Sequence, residues 1–301
     1  MREFALLAEV YRHNASLGER ILIPPGDDMG MVRFDGRDVL VAVDQLVGDR
    51  HVRMETTPFG AIGRKAVNRC LSDIAAMAAK PVATLAAAAL PRSFSEKDAL
   101  ELFEGMREAA DAAGAPLVGG DIATTDGPLV CSITAFAEPG PRGAVTRGGA
   151  RPGDLVYVTG TLGGSMDRDT GAGRHLTFEP RIVLALELAE RFDLHAMIDL
   201  SDGLGRDLDH IAEQSGVRAV IDGERLPLTP GSDWRGALSD GEDYELCFTV
   251  AKSASVPDEV AGVSITRIGR IESAESSAAR TVIEINDREI DAASFGWEHG
   301  A

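Results

Sequence analysis

Short apolar runs of strand length alternate with amphipathic helical stretches along the chain, and this alternation limits the folds that it can adopt. The first half has apolar runs at 39–43, 82–90 and 129–137, separated by helical patterns at 58–79 and 95–113. Short continuous apolar runs are typical of buried strands, whereas apolar residues three and four apart are typical of helices. Alternating elements of this kind pack as layers, so we expect an α+β fold built from α/β layers.

A second alternation of the same kind follows, and a stretch rich in proline and glycine separates the two. Residues 138–143 read Glu-Pro-Gly-Pro-Arg-Gly and lie close to the middle of the 301-residue chain. Linkers of this composition commonly separate domains, and this length is sufficient for two of them. We therefore predict an N-terminal domain over 1–138 and a C-terminal α/β domain over 139–301.

The chain is strongly acidic, with 30 Lys and Arg against 48 Asp and Glu and a formal net charge of −18. This excess repels a nucleic-acid backbone and an anionic membrane surface, so we expect neither as a partner. The most apolar window, 74–90, contains Lys80 and Pro81 and is too short on either side to cross a bilayer. No signal-like segment is visible at residues 1–4, and we expect the protein in the cytoplasm.

Several kinds of chemistry are excluded by motifs that the sequence lacks. There is no G-x-x-x-x-G-K-[ST] run for a P-loop, and no nucleophile-elbow sequence for covalent acyl transfer. The cysteines lie far apart without a C-x-x-C pair, which predicts buried, reduced thiols rather than a zinc site. These are Cys70, Cys131 and Cys247. If the protein binds phosphate groups, metal ions and arginines must do so.

Seven aspartates interrupt or end apolar segments, where an unpaired carboxylate is costly to bury. Asp73 is the clearest case, because apolar residues surround it in the stretch 70–76. Taken alone, each of the others could cap a turn or a helix. Carboxylates gathered from several segments repel one another, and a hard divalent cation relieves that repulsion. The candidate metal ligands are Asp27, Asp28, Asp44, Asp73, Asp121, Asp199 and Asp202.

A few further residues are candidates for binding an anionic ligand. Arg147 is followed by two glycines, and its guanidinium could bind phosphate oxygens in a fork or could lie on the surface of a linker. The glycine pairs at 119–120 and 163–164 allow close approach of the backbone to a ligand. His51 could bind an anionic substrate or be a structural imidazole. Ser201 is placed to cap the helix that follows it.

Seven short blocks of this sequence occur in the order seen in a known family. They are 26–28 (Gly-Asp-Asp), 44–51 (Asp-Gln-Leu-Val through His51), 71–77 (Leu-Ser-Asp-Ile-Ala-Ala-Met), 119–121 (Gly-Gly-Asp), 146–154 (Thr-Arg through Gly-Asp), 198–204 (Ile-Asp-Leu-Ser-Asp-Gly-Leu) and 241–246 (Gly-Glu-Asp-Tyr-Glu-Leu). This set resembles the thiamine-monophosphate kinases, which belong to the superfamily of aminoimidazole ribonucleotide synthetase. The resemblance extends from about Gly26 to the end of the chain.

The resemblance implies an activity, a fold and roles for the residues. The activity is ATP-dependent phosphorylation of thiamine monophosphate to thiamine diphosphate by direct transfer of the γ-phosphoryl group, with several Mg²⁺ ions. The fold is two-domain, and the N-terminal sheets pair in a homodimer. Six of the aspartates would bind metal, with Asp27 beside them. Gly120, Asp121, Arg147 and Ser201 would contact ATP, and His51, Glu242 and Trp297 would contact thiamine monophosphate.

The residue types suit this reaction independently of the resemblance to the family. A phosphate monoester has a second pKa of about 6, so its attacking oxygen is unprotonated at pH 7 and needs no general base. The main obstacle to the reaction is the electrostatic repulsion between ATP and the acceptor phosphate, which are both negatively charged. Metal ions held by carboxylates offset that repulsion and align the reacting groups.

Two features depart from the family pattern, and two alternatives stay open. Ala42 and Val43 stand where the family usually has hydroxyl residues, and the segment 163–180 is shorter than usual. A sister ATP-dependent enzyme with another substrate, such as a ligase, is one alternative. A nucleotide-binding protein without catalysis is the other. Selenophosphate synthesis is disfavoured, because no cysteine lies near the N-terminus.

Overall fold

The N-terminal half forms one sheet covered by helices on one face. This computed structural model describes residues 17–167, 169–274 and 279–297. The spacing of Phe4, Leu7 and Val10 predicts a helix over 2–12, which lies outside the described residues. The sheet has the strand order β1-β2-β3-β6-β4-β5. Its elements are β1 (Ile21–Ile23), β2 (Gly30–Phe34), β3 (Arg37–Val47), α1 (Phe59–Ala76), β4 (Lys80–Pro91), α2 (Glu96–Ala112), β5 (Leu117–Thr125) and β6 (Val130–Glu138).

The C-terminal half forms a second, mixed sheet. Its strand order is β14-β13-β9-β12-β7-β10-β8, and β11 pairs with β12 outside this path. Its elements are β7 (Leu155–Thr159), α3 (Ile182–Arg191), β8 (Leu194–Asp199), α4 (Leu204–Ser215), β9 (Val217–Asp222), α5 (Trp234–Ser239), β10 (Leu246–Val250), β11 (Glu259–Val260), β12 (Val263–Ser273), β13 (Thr281–Ile285) and β14 (Arg288–Asp291). The strands β7 and β10 are mainly apolar and wholly buried, and the last four residues of β8 are buried, as expected for strands covered on both faces.

Helix α1 is central to the molecule, because it contacts the N-terminal sheet, α2 and elements of the C-terminal half. Ser95, a residue type favoured at the start of helices, caps α2 by accepting a hydrogen bond from the backbone of Asp98. Glycines allow α1 and α2 to pack closely. A Cβ atom at Gly63 would lie 2.0 Å from the carbonyl oxygen of Leu102.

Replacing Gly63 by alanine is expected to lower the free energy of unfolding by about 1–3 kcal/mol, because the two helices must separate to admit the methyl group. Urea denaturation measures this loss. Gly60→Ala on the same helix is the matched control, since its Cβ would lie 3.6 Å from the carbonyl oxygen of Glu101, an ordinary contact. Equal effects of the two substitutions would contradict the close packing at Gly63.

The predicted α+β architecture is confirmed, and the three cysteines are buried free thiols as expected. The apolar pattern predicts that the strand at 39–43 ends at Asp44 and leaves residues 119–121 outside a strand, and both predictions are wrong. Asp44 does not end its strand, because β3 continues to Val47 through pairing with β6. Gly119, Gly120 and Asp121 do not form a turn, because they lie inside β5, which pairs in parallel with β4. The apolar pattern alone could not reveal these extensions, since cross-strand hydrogen bonds determine them.

The predicted cap at Ser201 is also wrong. Helix α4 begins at Leu204 after Gly203, and no side chain caps it. The carboxylate of Asp207 instead accepts hydrogen bonds from the backbone amides of Asp202 and Gly203, both at 3.1 Å. No helix within the described residues is long and apolar enough to cross a bilayer.

Candidate active site

Three carboxylates from distant parts of the sequence meet between the two sheets. Asp28 lies before β2, Asp73 lies on α1, and Asp199 ends β8. One carboxylate oxygen of each lies within 4.8 Å of the others. The hydroxyl of Ser72 donates a hydrogen bond to Asp199 at 2.6 Å. An all-oxygen set at this spacing fits a hard divalent cation such as Mg²⁺.

The protonation of these carboxylates reflects their crowding. Burial, followed by the charge of Asp28, raises the pKa of Asp199 to about 7. Burial and the charges of Asp199, Asp44 and Asp28 raise the pKa of Asp73 well above its ordinary value. The raised pKa values show that the folded chain disfavours the ionised form of both carboxylates at this position. A bound divalent cation would reverse that effect.

Asp44 and Ser201 join this group in a partly open space that we name the acid pocket. It has a volume of about 230 Å³ and is lined by Asp28, Val43, Asp44, Arg69, Asp73, Asp199, Ser201 and Tyr244. Asp44 is bound by Arg69, whose Nε donates to Oδ2 at 2.8 Å and whose Nη2 donates to Oδ1 at 3.2 Å. The acid pocket therefore combines four carboxylates with one guanidinium.

Arg147 lies at the edge of the acidic group. Its Nη2 donates to Oδ1 of Asp28 at 2.7 Å and its Nε donates to Oδ2 at 3.2 Å. Its backbone amide donates to the carboxylate of Asp27 at 3.1 Å. Burial, followed by the charge of Asp28, raises the pKa of Asp27 to about 6. A guanidinium that forms a fork on a carboxylate has the geometry to do the same on a phosphate.

A larger opening, which we name the cleft, lies beside the acid pocket. It has a volume of about 270 Å³, and its lining includes five residues predicted from the sequence: His51, Ser201, Asp202, Glu242 and Trp297. Arg69, Ser201 and Tyr244 line both the cleft and the acid pocket. The two spaces therefore share a wall, so a ligand in one can lie against a ligand in the other.

Buried charges fix the position of Glu242 in the cleft. The Nζ of Lys65 is wholly buried, where it pairs with the Glu242 carboxylate, donates to the carbonyl oxygen of His51 at 2.7 Å and lies 2.6 Å from Nδ1 of His175. Although burial opposes its charge, Lys65, His175 and Arg69 together hold the pKa of Glu242 well below its usual range. Glu242 is therefore a carboxylate at every physiological pH.

His51 is neutral at pH 7, because burial and then the charge of Arg69 lower its pKa to about 4. Its Nδ1 accepts a hydrogen bond from the backbone amide of Val47 at 2.9 Å. The ring proton is therefore on Nε2, which makes that atom a hydrogen-bond donor.

Gly120 and Asp121, which the sequence predicts as ligand-binding residues, line neither the acid pocket nor the cleft. Asp44 pairs with Ile133, Ile133 with Ala86, and Ala86 with Gly120, so Gly120 is three strands from Asp44. At the usual strand spacing this is about 14 Å. Strand β5 is an exposed edge, and a Cβ atom at Gly120 would lie 1.8 Å from the carbonyl oxygen of Ala86. Close pairing of strands thus requires glycine here, and this chain alone does not bring Asp121 to the acid pocket.

Comparison with known proteins identifies the family. The family model for the AIR synthase related protein, N-terminal domain, matches residues 26–138, and that for the C-terminal domain matches 151–281. The thiamine-monophosphate kinase of Rhodopirellula baltica is 36% identical over 276 residues, which cover 84% of this chain and 84% of that protein. The chain belongs to the thiamine-monophosphate kinase family.

Further relatives agree with this assignment. The thiamine-monophosphate kinase of Caulobacter vibrioides is 35% identical over 295 residues, covering 88% of this chain and 81% of that protein. The solved structure of AaThiL complexed with AMPPCP and TMP matches with a TM-score of 0.83 at 28% identity, covering 99% of this chain and 97% of that one. The predicted membership of the thiamine-monophosphate kinases, the fold of two AIR synthase related domains and the kinase class of enzyme are confirmed.

Sequence reasoning missed Lys65, Arg69 and His175, which the structure places at the site of this thiamine-monophosphate kinase family member. A signal was available for two of them. Lys65 and Arg69 precede Asp73 by eight and four residues on one helix, so all three face the same side. His175 lies in the glycine-rich loop after β7, where no local pattern points to a role.

Proposed function

We propose that the protein transfers the γ-phosphoryl group of ATP to thiamine monophosphate, giving thiamine diphosphate and ADP, with Mg²⁺ ions held by the acid pocket. The observation that supports this most is the wall shared by the acid pocket and the cleft. It allows a metal-bound triphosphate on one side to meet a phosphorylated acceptor on the other. The AaThiL complex with AMPPCP and TMP supports the identity of both substrates.

The residues of the chain would bind and align the reactants. Asp28, Asp73 and Asp199 would hold Mg²⁺, with Asp44 beside them and Asp27 and Asp202 as further ligands. When bound, Mg²⁺ neutralises phosphate charge and orients the phosphoryl group. No general base is required, since the acceptor phosphate is already ionised at pH 7.

The remaining roles are assigned by position. Arg147 and Ser201 lie beside the acidic group, and we propose that they contact ATP. We propose the same contact for Gly120 and Asp121, although β5 keeps these two residues away from the acid pocket within one chain. His51, Glu242 and Trp297 line the cleft, and we propose that they contact thiamine monophosphate. The ionised Glu242 would offset the positive charge of the thiazolium ring. His51 would donate a hydrogen bond.

We also propose a homodimer formed through the N-terminal sheet. Strand β5 is an unpaired edge on which Val118 and Ile122 are 63% and 60% exposed, and Val43 on β3 is 66% exposed. Exposed edges and apolar patches are typical of interfaces. Such a dimer would cover β5, on which Gly120 and Asp121 lie. The division into domains at 138/139 and the cytoplasmic location stay predictions.

An assay of product formation tests the proposed activity. The purified protein is incubated with ATP, thiamine monophosphate and increasing Mg²⁺, and ADP and thiamine diphosphate are quantified. We expect equal amounts of both products and no reaction after chelation of the metal. ADP without thiamine diphosphate would favour the sister enzyme with another substrate. Binding of ATP without turnover at any metal concentration would favour the protein that only binds nucleotide.

Replacing His51 by alanine is expected to raise the KM for thiamine monophosphate about tenfold and leave the KM for ATP unchanged, because one donor to a charged ligand is lost. Steady-state kinetics with each substrate varied measures the two values. His51→Asn is the control, since its side-chain oxygen can still accept from the amide of Val47. If the asparagine variant behaved like the wild type, His51 would act only by holding its loop.

A further inference from the structure

Arg69 occupies the wall between the two spaces of the site. It lies on α1, its side chain is only 12% exposed, and it lines both the acid pocket and the cleft. Among the described residues that line the acid pocket, Arg69 alone is positively charged. Arg69 therefore forms part of the wall, with Ser201 and Tyr244, that separates a ligand in one space from a ligand in the other.

The hydrogen bonds of Arg69 do not involve Nη1, which makes only a longer ion pair with Glu242. Nε and Nη2 both donate to Asp44. Nη1 is buried and has no hydrogen-bond acceptor among the described residues, and Oε1 of Glu242 is 3.6 Å away. A buried donor on a charged group without an acceptor costs free energy, so Nη1 is available to an acceptor that a ligand supplies.

We propose that Nη1 of Arg69 binds the phosphate of the acceptor, so that Arg69 determines specificity for phosphorylated acceptors. This inference rests on the proposed function. In the reaction, an oxygen of the acceptor phosphate forms a bond to the γ-phosphorus. The bond from that phosphorus to the bridging oxygen breaks, and its electron pair leaves with ADP. Asp44 holds the guanidinium in place, and Arg69 holds the attacking group close to the acid pocket despite the repulsion of its carboxylates.

Other arginines fit this role less well. The guanidinium of Arg50, which also lines the cleft, lies 4.7 Å from the ring centroid of Trp297 and does not line the acid pocket. Arg147 binds Asp28 and does not line the cleft. Arg69 therefore has the position, the charge and the available donor together.

Calorimetric binding of thiamine monophosphate and of thiamine tests the proposal. The wild type is expected to bind the phosphorylated compound more tightly. Arg69→Gln is expected to weaken binding of thiamine monophosphate about 10- to 100-fold and to change binding of thiamine less than about twofold, since only the contact to phosphate is lost. Arg69→Lys keeps the charge without the fork and is expected to give an intermediate loss. Arg64→Gln, an exposed arginine of the same helix paired with Glu108, is the control and is expected to change neither.

The other possible results contradict either the role of Arg69 or the proposed kinase activity, and they can be told apart. If either Arg69 variant kept the wild-type ratio of the two affinities, or lost both ligands equally, Arg69 would not bind the phosphate. If the wild type formed thiamine diphosphate without preferring thiamine monophosphate over thiamine, the inference alone would fail. If the wild type formed no thiamine diphosphate, the proposed function would fail, and the inference with it.

Discussion

Replacing Asp73 by asparagine is expected to lower the turnover number by on the order of 10³-fold, because the acidic group loses one of its three closest oxygen donors. The fold is expected to remain. Burial and three neighbouring carboxylates raise the pKa of Asp73, so its ionised form opposes folding when no cation is bound. The thermal midpoint in a chelator should therefore stay the same or rise, whereas the stabilisation by Mg²⁺ should shrink.

The measurement combines kinetics with thermal denaturation in chelator and in Mg²⁺. Asp126→Asn is the matched control, because Asp126 is 86% exposed in a surface pair with Arg92. It should leave both quantities unchanged. A normal rate and metal dependence in Asp73→Asn would remove Asp73 from the metal site. A large fall of the midpoint in the chelator would make its role structural.

Replacing Lys65 by methionine is expected to lower the free energy of unfolding by about 3–5 kcal/mol, the usual cost of breaking a buried ion pair from one side. Burial lowers the pKa of Lys65 to about 8, which leaves its ammonium mostly charged at pH 7. Its removal leaves Glu242 buried without its closest cation. Because Lys65 lies on α1 and contacts Glu242 and His175 of the C-terminal half, this loss also weakens the attachment of the two halves.

Urea denaturation of four variants separates the pair from the rest of the site. Arg64→Met removes an exposed ion pair on the same helix and should cost no more than about 1 kcal/mol. The double variant Lys65→Met with Glu242→Gln should be more stable than Lys65→Met alone, because the unpaired carboxylate is gone. Additive effects of the two single substitutions would contradict a direct coupling between these side chains.

Much of the local structure could be predicted from the sequence. The helices α1 and α2 follow from apolar periodicity, and the cap at Ser95 follows from residue type. The sequence also marks Asp73 and Asp199 as candidates that need a partner inside the protein, because each carboxylate lies in an apolar segment. These features depend on interactions between residues close in sequence.

The remaining features depend on contacts between residues far apart in sequence. Lys65 and Glu242 are separated by 177 positions, and no local pattern indicates that they pair. The extension of β3 beyond Asp44 depends on hydrogen bonds to β6. The turn after Asp199 depends on Asp207, a carboxylate four and five residues beyond the amides that it accepts from. Sequence reasoning identified the acidic side chains but not Lys65 and Arg69, the basic side chains that pair with Glu242 and Asp44.

The position of bound metal tests the central claim most directly. Crystals of the protein with Mn²⁺ and a non-hydrolysable ATP analogue would show the metal by its anomalous scattering. We predict a peak about 2.0–2.2 Å from carboxylate oxygens of Asp28, Asp73 and Asp199, beside the phosphates of the analogue. Bound analogue with no metal peak among these three carboxylates would contradict the account.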